Sequence, residues 1–468
     1  MTFGDPLTLV FVVLVAGALR LTGSADRARV ALLALASLFF YATWNPLYLV
    51  PLLATCAVDW GVGLALGRTQ KPRARLLLVT VSLVFDLGIL ALFKYGTLLS
   101  DLASPRGGAA GWKLVFAVGI SFYTFQSLSY VIDVYRREEE PVPSLLDYVA
   151  YVSFFPTILA GPITRAQTFF PQLRAALVPL TSDAGGRALF LIALGMVKKC
   201  VLADTLATGL VNRVFEMPGL FSSAEVFVAI VGYSVQIYGD FSGYSDMAIG
   251  SALLLGFRLK DNFNAPYRSA DLAEFWRRWH ISLSTWLRDY LFFSLPGKRP
   301  PSPMPYFNLV ITFGLGGLWH GASYTFGIWG LLHGAGLAVV RFFESRRPRG
   351  ARPAPPGALR RAAGIAATFS FVTFTWVFFR CSTVEQAGEL FRVLLQGTWS
   401  LGNVPPAAAA ALLAGLLSQA LPETFLPALE RRFCALPAPV QAAGLLAVAA
   451  GVRLAAGQAI APFIYQQF

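Results

Sequence analysis

The sequence predicts an all-α, polytopic integral membrane protein of roughly ten to twelve transmembrane or re-entrant helices. Three observations lead to it. Hydrophobic residues make up 56% of the chain and charged residues 13%, about half the charged share of an ordinary soluble domain. Apolar runs at 6–19, 30–59, 76–93 and 362–379 cross or nearly cross a hydrocarbon core about 30 Å thick. Basic residues gather between such runs, at 20–29, 68–75, 136–137 and 341–361, the pattern of loops held on the cytoplasmic side. A large soluble α/β protein would need far more polar sequence to coat these runs.

From an outer N-terminus, segments 6–20 inward, 29–45 outward, 47–66 inward, 76–98 outward and 112–135 inward put the early basic clusters inside. The charged residue before the first run is acidic, Asp5, and no small-x-small cleavage site with polar sequence behind it follows. It is expected to be the first spanning helix rather than a removable signal. Asn45–Pro46 divides the second run into two helices. Residues 104–111 read as a loose outer loop, and 138–144, with two prolines, as a polar inner connection. Segment 148–161 is apolar but interrupted by Pro156 and ended by Gly161–Pro162. It suits a short, kinked or re-entrant element, which must be shielded by protein or line a cavity.

Long helices resume at 187–211 and 224–256; Gly232, Gly239, Gly243 and Gly250 in the second allow close helix approach. Residues 258–305 mix charges, prolines and tryptophans. There, Trp276, His280, Leu283 and Leu287 have the i, i+4, i+7, i+11 spacing of one helix face, and Glu274 can pair with Arg278. Segment 272–290 is therefore predicted to be an amphipathic helix at the inner interface. Helices at 307–319 and 324–341, a cytoplasmic loop at 346–361 and segments at 362–379, 406–421 and 438–457 complete the chain. A single membrane domain over 1–468 is expected, with N-terminal helices 1–135, a core 145–343 and C-terminal helices 362–468, and no separate soluble domain.

The net charge of +13 does not indicate nucleic acid, because the basic residues form neither a face nor a tail. Attraction to anionic lipid headgroups is a sufficient use for it. Cys56, Cys200, Cys381 and Cys434 are scattered without metal or CxxC spacing and read as packing residues.

Chemistry concentrates in 240–333. The chain has three histidines, His280, His320 and His333, each in an aromatic-rich stretch. A partly desolvated neutral histidine can take a proton from a hydroxyl as its oxygen attacks a thioester or ester carbonyl. His320 has Gly321 beside it and the glycine-rich 314–317 before it, which lets a substrate approach closely. Taken singly, each histidine is better explained by hydrogen-bonded packing; their concentration in one region points to function for His320 and His280, and less so for His333. On a continuous helix His333 would lie roughly 20 Å beyond His320, unless Gly327 and Gly330 bend the path. Asp240 and Asp246 flank FSGYS near the end of an apolar segment. They could carry a coupling ion in a transporter or flippase, or be structural carboxylates meeting Arg258 or Lys260. No HExxH zinc motif and no phosphate-cradling loop occurs.

The motifs DFSGYSDMAIG (240–250), NFNAPYRSADLAEFWRRWHISLSTWLRDYLF (262–292) and NLVITFGLGGLWHGASYTFGIWGLLHG (308–334) resemble those of the membrane-bound O-acyltransferases. The resemblance is to the bacterial branch that modifies alginate, peptidoglycan and, by D-alanyl transfer, other envelope polymers. Weaker echoes at 38–49, 121–136, 151–165, 374–380 and 463–468 extend it over nearly the whole chain. It implies helices around a central tunnel, His320 in WHG as the histidine essential to acyl transfer, and His280 in RWHISLS at a tunnel-facing position that relatives fill with Asn or His. Asp246, Asn308, Trp319 and His333 are candidate supporting residues along that tunnel.

The resemblance further implies a cytoplasmic acyl thioester donor such as acetyl-CoA, no bound prosthetic group and no metal. It implies a polysaccharide acceptor, a bacterial inner-membrane location and a separate SGNH-type periplasmic or extracellular partner protein. Two departures stand out: FIYQQF at the C-terminus where FIYFQF is expected, and a proline-rich 293–306 where relatives carry a glycine-rich stretch. Alginate, another exopolysaccharide and peptidoglycan all stay open as acceptors, and acetyl is favoured over D-alanyl.

Overall fold

The computed structural model describes residues 3, 5–22, 26–103, 117–175, 180–297, 303–346, 357–456 and 463. The expected outer loop at 104–111, most of the 346–361 loop, part of 293–306 and the terminal motif apart from Phe463 lie outside the described residues. Every regular element among the described residues is helical. They form two compact units, Met1–Ile192 with Met247–Lys260, and Ala193–Asp246 with Asp261–Phe468.

The first unit begins with helices α1 (Pro6–Leu21), α2 (Asp26–Ala42), α3 (Leu49–Arg68), α4 (Pro72–Ala103) and α5 (Ile120–Arg136), followed by the short α6 (Leu145–Val152), α7 (Phe155–Ile158) and α8 (Ala166–Arg174). Asp5 caps α1 by accepting from the Leu7 N–H at 2.9 Å. Asn45 accepts from the Leu47 N–H at 3.0 Å at the single turn Pro46–Tyr48, so the apolar run divides there as the sequence predicts. Arg75 is buried, and its guanidinium donates to the carbonyls of Leu66, Thr69, Val134 and Tyr135 at 2.5–3.1 Å. Those carbonyls sit at the C-terminal ends of α3 and α5, where helical partners run out. One arginine thus closes two helices.

The apolar stretch 148–161 is broken, as expected, into α6 and α7. Its irregular backbone is buried: Tyr151 donates to the Thr164 carbonyl at 2.9 Å, and the Gln126 amide donates to the Tyr151 carbonyl at 2.6 Å. This internal satisfaction is what permits non-helical backbone in a membrane protein. Phe154 and Phe169 pack on Phe257 with ring centroids 4.9 and 5.0 Å apart.

Helices α9 (Ser182–Met196) and α10 (Ser223–Leu254) contribute residues to both units. Beyond α9 the chain winds through π-type turns at Val197–Ala203 and Ala207–Val211. α10 runs unbroken for 32 residues through its glycines. A Cβ on Gly239 or Gly243 would come within 3.0 Å of the Lys198 or Gly195 carbonyl, so these glycines serve the close helix contact that the sequence suggests.

The second unit continues with α11 (Leu272–Arg278), α12 (Ile281–Trp286), α13 (Met304–His320), α14 (Tyr324–Ser345), α15 (Ala358–Arg380), α16 (Val384–Leu394), α17 (Pro406–Ala420), α18 (Phe425–Cys434) and α19 (Ala438–Ala456). α13 and α14 form a tight antiparallel hairpin. A Cβ on Gly330 would collide with the Phe313 carbonyl, and one on Gly317 with the Phe326 carbonyl. The path from His320 to His333 therefore reverses instead of continuing as one helix, because α13 ends at His320 and α14 starts at Tyr324. Cys56, Cys200 and Cys381 are buried and form no disulfide.

The predicted helix over 272–290 is not continuous. It breaks at Trp279–His280, and His280 adopts the left-handed conformation with φ 41°, so the stripe from Trp276 to Leu287 is not one helix face. The predicted Glu274–Arg278 pair forms at 3.0 Å.

Five helical spans among the described residues are long and apolar enough to cross a membrane, or six if α17 and α18, bent by 96°, make one span. The sequence suggested more crossings and half-crossings. α1, α2, α5 and α13 have only 16 or 17 residues each, which places them below that length. The chain is an all-helical, multi-pass membrane protein.

Candidate active site

His320 is the last residue of α13, and Gly321 follows in extended backbone. It is 4% exposed. Its ring stands edge-to-face with Trp319, Trp329 and Phe379, with centroids 4.8, 5.2 and 5.1 Å away. These rings make the imidazole's surroundings apolar. Gly321 packs so tightly on Phe326 that a Cβ there would collide with its ring.

His333 lies one aromatic ring further along. Trp329 contacts both imidazoles, at 5.2 Å from His320 and 4.9 Å from His333. His333 is fully buried, its Nδ1 3.2 Å from Trp276 Nε1 and its Nε2 2.9 Å from Thr375 Oγ1. An indole N–H only donates, so His333 Nδ1 accepts and Nε2 carries the proton, donating to Thr375. Thr375 in turn donates to the Val372 carbonyl at 2.8 Å. The lone pair that a base would need is already committed.

His280 is held by Asn262. The Asn262 carbonyl accepts from Ile281 N–H at 2.9 Å, and its side-chain Oδ1 accepts from Ser282 N–H at 3.1 Å and Ser282 Oγ at 2.9 Å. These are the first N–H groups of α12, which have no helical partner. Asn264 N–H meanwhile donates to the Arg278 carbonyl at the end of α11 at 2.9 Å. Segment 262–264 thus stitches both sides of the break and makes the left-handed turn at His280 tolerable.

His280 Nδ1 lies 3.3 Å from the same Oδ1. An amide oxygen accepts, so Nδ1 carries the proton and the lone pair sits on Nε2. Phe241 stands edge-on to the ring at 4.6 Å. Burial pushes the His280 pKa down to about 3, so the imidazole is neutral at physiological pH. Trp279 beside it meets Trp376 at 5.1 Å, and Trp376 stacks on Trp329 at 5.7 Å. The three histidines are thereby joined by one aromatic cluster.

Asp246 Oδ2 meets Lys198 Nζ at 2.6 Å, while Lys199 Nζ bridges Asp204 Oδ1 and Asp240 Oδ1, each at 2.8 Å. Their cationic partners are Lys198 and Lys199 rather than Arg258 or Lys260, because close packing at Gly239 and Gly243 brings the lysines onto α10. Asn308 is buried and donates to the Pro296 carbonyl at 2.9 Å, tying α13 to the preceding loop. Trp319 lies against His320 as part of its wall. No group of three or more His, Cys, Asp or Glu among the described residues is arranged to hold a metal ion.

Residue-level reading of the sequence missed Asn262, Thr375, Lys198 and Lys199. Asn262 opens one of the long motifs, and that position was its only signal. Thr375 had none.

His320 is thus a buried histidine that closes α13, walled by aromatic rings, in an all-helical membrane protein. The sequence model of the membrane-bound O-acyltransferase family, MBOAT, matches residues 136–384, and the chain belongs to that family. It is 37% identical to the probable alginate O-acetylase AlgI of Pseudomonas aeruginosa, over 84% of this chain and 75% of that protein. The peptidoglycan O-acetyltransferase of Helicobacter pylori is 35% identical over 77% of this chain and 72% of its own length. The teichoic acid D-alanyltransferase of Bacillus subtilis is 28% identical over 59% and 72%. The protein is a membrane-embedded O-acyltransferase.

Proposed function

We propose that this enzyme moves an acetyl group from a cytoplasmic thioester, acetyl-CoA or a similar donor, toward hydroxyls of an envelope or exported polysaccharide. The observation that carries the reading is the placement of His320, a buried imidazole at a helix end with glycine beside it. In this mechanism His320 accepts the proton of the acceptor hydroxyl as its oxygen attacks the thioester carbonyl. The tetrahedral intermediate collapses, the C–S bond breaks, and the imidazolium returns its proton to the departing thiolate. His280, held by Asn262, has its lone pair on Nε2 and so orients the acceptor by accepting from one of its hydroxyls, whereas the alternative of orienting the carbonyl oxygen would need a donor there.

Segment 145–343 acts as the catalytic core, with a tunnel between donor and acceptor sides. Asp246, Asn308, Trp319 and His333 support it without taking part in proton transfer. Two relatives named for acetyl transfer share 35–37% identity with this chain, against 28% for the one named for D-alanyl transfer, which supports acetyl as the group. A separate SGNH-type protein on the outer side completes delivery, and the enzyme works in the bacterial inner membrane. An ion-coupled transporter is less well supported, because Asp240 and Asp246 are engaged by lysines.

The test is transfer of radiolabelled acetyl from acetyl-CoA by inverted membrane vesicles containing the protein, with a candidate outer partner and acceptor glycan inside. Label in the glycan or the partner supports the proposal. Solute movement without any covalent label, from correctly inserted protein, overturns it.

A further inference from the structure

Four helix ends meet at a cavity in the first unit: the end of α1 at Leu19, the start of α2 at Arg29 and Leu33, the end of α8 at Gln172 and Leu173, and residues 255–258 just after α10. Its volume is about 320 Å³, at the lower end of ligand-sized sites of about 300–1,000 Å³. One part of the wall is apolar, from Leu19, Leu33, Leu173, Leu255 and Phe257; another is cationic, from Arg29 and Arg258.

The walls are built firmly. The Gln172 side chain accepts from Arg258 N–H at 2.7 Å and donates to the Arg258 carbonyl at 3.2 Å. Arg29 is 6% exposed and donates to the Leu173 carbonyl at 2.8 Å. Arg20, next to Leu19, donates to the Leu254 carbonyl at 2.9 Å. Against this positive charge stands Asp26, whose side chain is 68% exposed and meets Arg29 at 3.2 Å. Among the described residues no carboxylate pairs with the Arg258 guanidinium. Two guanidinium groups beside an apolar wall suit a phosphate diester attached to hydrocarbon. A soluble phosphate would leave the apolar wall unused, and a zwitterionic lipid would bring its own cation toward the arginines. The basic cluster at 20–29 puts this end of the unit at the cytoplasmic leaflet, where anionic lipids are enriched.

We infer that this cavity is a specific site for one anionic phospholipid, its phosphate between Arg29 and Arg258 and the start of its acyl chains against Leu33, Leu255 and Phe257. The site is independent of the acyl-transfer proposal, and its test needs no turnover.

Full-length protein in dodecyl maltoside is titrated with phosphatidylglycerol or phosphatidylcholine, and bound lipid is read by native mass spectrometry and by thermal melting. Phosphatidylglycerol should bind one-to-one and raise the melting temperature, with phosphatidylcholine much weaker. Arg258→Gln should weaken phosphatidylglycerol binding by about tenfold or more, the scale of a lost charged hydrogen bond, with unchanged melting in lipid-free detergent. Ala175→Trp, which fills the cavity while keeping both arginines, should weaken it as well. Arg392→Gln, on α16, should not. Equal phosphatidylglycerol binding by wild type, Arg258→Gln and Ala175→Trp would overturn the site. Displacement of the lipid by millimolar inorganic phosphate or by coenzyme A would also overturn it, in favour of a soluble phosphate ligand.

Discussion

Trp276 and His333 lie 57 positions apart in sequence and share a hydrogen bond in which the indole Nε1–H donates to the imidazole Nδ1 at 3.2 Å. That bond decides which nitrogen of His333 keeps its proton, and so separates a packing histidine from its neighbour His320, which also contacts Trp329. His333→Gln should keep most acyl transfer, because the amide can still accept from Trp276 and donate to Thr375. His333→Ala leaves the indole N–H and the Thr375 oxygen without that partner, and should destabilise the protein by about 1–3 kcal/mol or more. Thermal melting of both variants in detergent, beside their transfer rates, checks the difference. A rate loss in His333→Gln as large as that in His320→Ala would assign His333 to the chemistry.

His320→Ala should reduce transfer by about 10²–10⁴-fold, the usual worth of a general base. Membrane insertion and protein level should stay near wild type. Single-turnover assays with labelled donor are the appropriate readout, since they separate the chemical step from binding. Wild-type rates in His320→Ala would remove the proposed mechanism.

At His280 two demands coincide, a left-handed backbone and a hydrogen bond to Asn262. Asparagine tolerates that backbone and retains an amide N–H, whereas alanine meets neither demand well. His280→Asn should therefore keep more activity and more stability than His280→Ala, and Asn262→Ala should lower transfer although it removes no proposed base.

The same histidine predicts a response to acid. Folding holds the His280 pKa at about 3 against an ordinary 6.5, so the unfolded chain takes up a proton that the folded chain refuses. Stability is complete above about pH 6.5 and falls as the pH drops toward 3. A pH series of melting temperatures should show a shallower acid decline in His280→Asn. Identical declines would show that His280 does not titrate on unfolding.

Lys198 and Asp246 form a partly buried pair, with side chains 15% and 18% exposed. Asp246→Ala leaves the ammonium without its counter-charge and should cost up to about 3–5 kcal/mol, the range for breaking a buried pair. Lys198→Met combined with Asp246→Leu should recover part of that loss, because no lone charge remains. Melting of the two single variants and the double variant gives the coupling. Strictly additive losses would show that the two side chains do not interact.

Much of the architecture was legible before any coordinates. Composition marked a membrane protein because apolar side chains outnumber what a soluble surface can carry. Asn45–Pro46 and the glycines of α10 announced a break and a close contact, since each acts through its own backbone or its own lack of a side chain. The two long central motifs pointed to the family and to His320. None of this needed knowledge of a distant partner.

What the tertiary structure decided is which groups meet. A regular hydrophobic spacing suggested one helix over 272–290, yet Asn262 supplies hydrogen bonds that let the chain stop and restart at His280. Periodicity records which positions avoid water and carries nothing about an acceptor eighteen residues upstream. In the same way hydropathy showed that Asp240 and Asp246 needed partners but not that Lys198 and Lys199 would provide them. Nor could it show that Thr375 would hold the proton-bearing nitrogen of His333. Burial is a property of a residue and its near neighbours in sequence. A hydrogen bond or an ion pair belongs to two residues at once, and only the folded chain brings them within 3 Å.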